Sequence, residues 1–190
     1  MKKDYSLDDR PGSLTLYGGP YTLSMPTCPT LVLRKQQHWP VIWETQLDFQ
    51  PNSPRVESGT AVWWNYTCFA SIGIALQRES SQNQRIVRFS PPSNHGEAVE
   101  RTISTEGKII LVIECTATNY RLGFREAQDK TREDCSWLGE IDTQILTRNP
   151  EIGQSSSQRT GRSIDSRPNT EVRHWFPSFR GRTPRHKAHH

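Results

Sequence analysis

No run of 18 apolar residues occurs anywhere in the chain, so nothing in it reads as a membrane-spanning helix and no membrane partner is expected. The opening Met1–Asp9 carries two lysines but lacks the apolar centre of a signal peptide. The sequence therefore shows no secretion route, and the compartment stays undecided. The four cysteines, Cys28, Cys68, Cys115 and Cys135, have no CxxC spacing and no paired histidines beside them. That argues against a zinc site, and neither a metal nor a cofactor is expected. Cys68 and Cys115 lie inside apolar strand candidates and read as buried free thiols. Disulfides stay open, with three pairings that sequence does not distinguish.

Apolar residues are also scarce, at 33% of 190. Such a chain builds one core and not two, and fits an antiparallel sheet with a wet face or a core followed by a disordered tail. The net charge of +4 is unevenly spread. Residues 147–190 hold nine Lys or Arg against three Asp or Glu, while residues 1–146 hold fifteen against seventeen. A nucleic-acid footprint would cover a folded face or interleave with positioned aromatics. The basic stretches 152–163 and 180–190 do neither, so no nucleic-acid partner is expected and 147–190 reads as a disordered basic tail. Trp175-Phe176 and Phe179 are too sparse there to specify a final strand.

What is present is strand pattern. Val41, Trp43, Thr45, Leu47 and Phe49 fall on one face at period two. Gly59–Leu76 is aromatic and β-branched, which predicts one long bent strand or two strands. Ile86–Phe89, Gly107–Cys115 and Tyr120–Phe124 read as further strands, the last two joined by a hairpin at 117–119. A short strand is expected within 11–18. Leu31–His38 could start a helix on propensity alone, but Trp39-Pro40 interrupts it. These segments predict an all-β fold, an antiparallel β-sandwich or jelly roll over residues 9–146.

The same residues resemble a known family. Asp9–Gly18, Arg34–His38, Thr45–Pro51, Gly59–Asn65, Thr118–Phe124 and Trp137–Thr143 resemble, in order, segments of the C-terminal concanavalin A-like domain of glycoside hydrolase family 43 β-xylosidases and arabinofuranosidases. The resemblance implies a concanavalin A-like β-sandwich packed on a five-bladed β-propeller catalytic domain, which carries the carboxylates while sandwich loops help close its pocket. It implies an accessory role for this chain, with no catalytic residues of its own. The pattern departs from the family at Asn149–Ser157, and the expectation is that missing terminal strands leave a sheet edge or an inner face uncovered.

The candidate contacts follow from residue type. Glycoside hydrolysis needs two carboxyl groups about 5 Å apart for retention, or roughly 6.5 to 9.5 Å for inversion. Glu44 and Asp48 share a strand face at about 13 Å and read as solvated carboxylates, as does Glu114. Trp63 and Trp64 are adjacent, so at most one points into the core. The other, with Asn65 or Tyr66, would contact the propeller or serve as a platform for xylo-oligosaccharides. Arg34, Gln36, Gln37 and His38 form a polar run able to reach a sugar or to pack on the first sheet. The competing reading is an independent carbohydrate-binding module for xylan-type polysaccharide. Asn65-Tyr66-Thr67 is a glycosylation acceptor sequence in which no glycan is expected.

Overall fold

The structure, a computed structural model, describes residues 4–27, 29–77, 84–129, 131, 133–147 and the backbone of 171–175. Cys28 and most of the basic stretch 148–190 lie outside the described residues, and so does the expectation of disorder there. A short ribbon of β1 (Tyr5–Ser6) and β2 (Thr15–Leu16) precedes two larger antiparallel sheets. One has four strands, β4 (Val41–Leu47), β9 (Ile109–Cys115), β10 (Asn119–Glu126) and β11 (Ser136–Asp142), in the order β11-β10-β9-β4. The other has six: β3 (Val32–Lys35), β5 (Ser58–Asn65), β6 (Cys68–Leu76), β7 (Arg85–Ser90), β8 (Val99–Thr102) and β12 (Glu171–Trp175), in the order β3-β12-β5-β6-β7-β8.

The sheets face one another, and period-two alternation fills the space between them. Val62, Ala70, Ile72, Ile74, Val87 and Phe89 enter from the six-stranded sheet, and Leu47, Ile109, Leu111, Ile113, Tyr120, Leu122 and Phe124 from the four-stranded one. The face expected for residues 41–49 is the one that packs on this core, through Val41, Trp43, Leu47 and Phe49. Cys68 and Cys115 are buried free thiols, as their apolar surroundings predict. After β11 the chain makes one helical turn, α1 (Thr143–Thr147). Asp142 opens it by accepting the Gln144 N–H at 2.7 Å, and its Leu146 plugs the end of the core.

The run Gly59–Leu76 resolves into two strands, β5 and β6, hinged at Tyr66-Thr67. Asn65 Oδ1 accepts both the Thr67 N–H at 2.9 Å and the Thr67 hydroxyl at 2.7 Å, a side-chain turn that fixes the hairpin. Two expectations are corrected. The stretch that could have begun a helix is the edge strand β3, because a tertiary partner outweighs modest helix propensity. A final strand, which Trp175-Phe176 and Phe179 read as too sparse to specify, does form at Glu171–Trp175, where it pairs with both β3 and β5 and fills the slot between them. A backbone ladder on each side needs no apolar alternation. Strand β8 went unread because all four of its residues are exposed and its sequence has no apolar period.

Candidate functional site

Two groups of candidate residues stand near one end of the sandwich. β3 and β4 are the facing edges of the two sheets, and the opening between them is lined by Arg34 and Trp43. The Arg34 guanidinium lies 5.1 Å from the centre of the Trp43 ring, a cation–π contact. The Trp43 indole N–H is itself directed at Thr45 Oγ1, 3.0 Å away. Gln36 sits deeper and acts as a strut. Its amide nitrogen donates to the His38 carbonyl at 3.1 Å and to Cys115 Sγ at 2.8 Å, and its oxygen accepts from the Tyr120 hydroxyl at 3.1 Å. Gln37 and His38 are exposed beside it, next to an exposed Trp39.

The second group ends β5. Trp64 packs against the core with Val62, whereas Trp63 belongs to the opposite face; both are half-buried. A bulge between Trp63 and Asn65 shifts the register with β6 there. Tyr66 is exposed at the turn, and Asn65 is committed to holding that turn. With β12 between β3 and β5, the tryptophan pair stands about two strand spacings, roughly 10 Å, from the β3 row. The predicted site residues are thus at one end of the fold without forming one contact cluster.

Reasoning from sequence missed a hollow on the outer face of the four-stranded sheet. It has a volume of about 190 Å³, and its walls include Glu114, Arg121, Arg125 and Trp137. Arg121 donates to Glu114 at 3.1 Å, approaches Glu140 at 3.9 Å and stacks 4.3 Å from the centre of the Trp137 ring. Arg125 holds Glu44 at 3.3 Å and donates to the Asp129 carbonyl at 2.6 Å. Glu44 and Glu114, expected as solvated carboxylates, are therefore half-exposed partners of arginines, and Asp48 pairs with Arg10 at 3.0 Å. The signal available in sequence was the repeat Arg121, Gly123, Arg125 on one strand face. Its meaning depends on which residues lie across the sheet. Among the described residues no group of three or more His, Cys, Asp or Glu is placed to hold a metal ion.

Burial pushes the Cys135 thiol from its ordinary 9.0 up to about 11, with Arg125 and Arg121 opposing and Glu44 and Glu114 adding to the rise. Burial raises the Cys68 and Cys115 thiols as well. The folded chain holds these protons more tightly than the unfolded chain. The Cys135 contribution to stability is therefore intact below about pH 9 and lost as pH rises from there through about 11. Melting temperature should accordingly fall over that window, and Cys135→Ala should flatten part of the fall. Thermal melts of both proteins at stepped alkaline pH test this. Parallel curves would overturn it.

The chain matches the family model of the β-xylosidase C-terminal concanavalin A-like domain over residues 1–162, beyond residue 146 where the motif resemblance stops. A search of curated proteins finds no match. Among solved structures it is similar to the xyloglucan-locus GH43B protein of Bacteroides ovatus, at 21% identity and a TM-score of 0.64 over 75% of this chain and 27% of that one. It is similar to a xylan β-1,4-xylosidase of Bacillus halodurans at 19% identity and 0.62, covering 92% of this chain and 34% of that one. For the GH43 BlXynB protein of Bacillus licheniformis the values are 15% and 0.66, over 96% and 32%. At these identities the likeness is one of fold, and this chain spans between 27% and 34% of the length of these three structures.

Proposed function

The chain belongs to the β-xylosidase C-terminal concanavalin A-like domain family, and from that premise we propose that it is the accessory domain of a glycoside hydrolase, supporting a five-bladed β-propeller and helping to close its pocket. One observation carries the reading: the family match takes in every described strand of the sandwich except β12, yet the chain covers only 27% to 34% of these solved chains of the same fold. Glu44 and Glu114 on its four-stranded sheet are ion-paired with Arg125 and Arg121, so the chemistry is assigned to the partner domain. Arg34, Gln37 and His38 at the β3–β4 opening, and Trp63 and Tyr66 at the end of β5, are the proposed contacts with that domain or its sugar. Gln36, Trp64 and Asn65 brace the elements that present them. The proposed substrates are xylo-oligosaccharides bound jointly with the propeller.

A chimaera tests this. The matching third of the Bacillus halodurans xylosidase is exchanged for this chain, and hydrolysis of 4-nitrophenyl β-xyloside is compared with that of the same enzyme lacking its C-terminal third. The accessory role predicts that the chimaera recovers at least about tenfold in kcat/KM over the deletion, and that Arg34→Ala removes most of the gain. A soluble chimaera no more active than the deletion would sink it. The isolated chain should release no product. If it instead binds xylohexaose by itself and loses that binding in Trp63→Ala, the independent binding module is the better reading.

A further inference from the structure

The hollow on the outer face of the four-stranded sheet is built rather than incidental. Along β10 the residues Arg121, Gly123 and Arg125 share that face, and Gly123 pairs with Trp137 across the ladder to β11, next to a register shift. A Cβ at Gly123 would stand 2.8 Å from Trp137 Cε3 and 3.0 Å from Cys135 Sγ. The missing side chain is what lets the indole and the thiol settle onto β10. Ile42 and Val112 complete an apolar lining, and Val112 is only 3% exposed although it faces away from the core. Around this lining, Arg121 and Arg125 are bonded to Glu114 and Glu44, so donors and acceptors alternate along the rim.

The size and charge of the hollow select its occupant. A volume of about 190 Å³ is on the scale of a single sugar ring. In the lining Glu114 and Glu133 match Arg121 and Arg125, and Glu140 and Glu44 stand against the two arginines, so the hollow offers an anion no net positive charge. An apolar lining with an aromatic ring, edged by paired donors and acceptors, suits a neutral ring that is apolar on one face and hydroxylated at its edge. We propose that this hollow binds a single neutral pyranose unit, its ring face against Trp137, Val112 and Ile42 and its hydroxyls exchanging hydrogen bonds with the Arg121–Glu114 and Arg125–Glu44 pairs. The site lies on the sheet face away from the core and does not depend on the accessory role proposed above.

The test is an NMR titration of the full chain with methyl β-xylopyranoside, methyl β-glucopyranoside and glucuronate. At least one neutral glycoside should saturate with Kd on the order of 1–10 mM, the range expected of so small a ligand, and glucuronate should bind about tenfold more weakly. Trp137→Ala and Glu114→Gln should each weaken binding by about tenfold or more, while Val99→Ala, an exposed position on β8 of the other sheet, leaves it unchanged. Glu114 is half-exposed, so E114Q decides the matter if Trp137→Ala fails to fold. No saturable binding of either glycoside up to about 50 mM would overturn the proposal. So would binding that survives E114Q, or that is lost in Val99→Ala. Failure of the chimaera above leaves this titration unaffected, so the two readings fail separately.

Discussion

Replacing Gly59 by alanine is expected to cost about 3 kcal/mol or more and to lower the melting temperature by roughly 10 °C. Gly59 pairs with Gly73 across the β5–β6 ladder. An added Cβ would stand 2.5 Å from Gly73 Cα and closer still to the Ile72 carbonyl oxygen. Overpacking typically costs about 1–3 kcal/mol where side chains can turn aside. Here the obstructing atoms are backbone, so relief requires parting two central strands that carry Val62, Ala70, Ile72 and Ile74 into the core. Against a total stability of about 5–15 kcal/mol the loss is large. Gly18→Ala is the control, because a Cβ there meets nothing within 4 Å, and it should stay within about 0.5 kcal/mol. Thermal melts followed by circular dichroism separate the two. Equal melting temperatures would mean that β5 and β6 are not this close.

Arg85→Met should destabilise the chain by about 3 kcal/mol. Arg85 is 2% exposed at the start of β7, and its guanidinium donates to the carbonyls of Ser104 at 3.2 Å and of Phe49 and Gly107 at 2.9 Å each. It thereby joins the end of β4, the segment leading into β9 and the edge of the six-stranded sheet, at the end of the sandwich remote from the β3–β4 opening. Burial lowers its pKa, and the charges of Asp48 and Glu126 oppose that shift. Methionine fills the volume and leaves those carbonyls without a donor. Lysine keeps the charge but lacks the planar fork, and should recover about half of the loss. Urea titrations should show a lower midpoint with an unchanged slope. A midpoint shift under about 0.3 M would mean that water replaces the guanidinium at little cost.

The parts of the fold legible in the sequence were those that bury one face against the opposite sheet. Val41–Leu47, Ile109–Cys115 and Tyr120–Phe124 alternate because the pleat sends every second side chain into the core. Strands that bury nothing leave no such record. Val99–Thr102 is exposed throughout. The backbone of Glu171–Trp175 pairs with β3 and β5, a placement that the sequence of the segment does not record. Arg34, Gln36, Trp63 and Trp64 were visible as residue types, yet their roles diverge through packing. Gln36 is tied to Cys115 and Tyr120, far away in sequence, while Arg34 rests on Trp43.

Composition and period two were sufficient to determine an antiparallel sandwich with one core, because burying alternate side chains is a local rule written along each strand. Which strands become neighbours, and in what register, is decided by closing the sheets. That closure sets Arg121 against Glu114 on one side and Trp137 against Gly123 on the other. The hollow is a property of this cross-strand register and of one absent side chain, and no segment of the chain taken alone contains it.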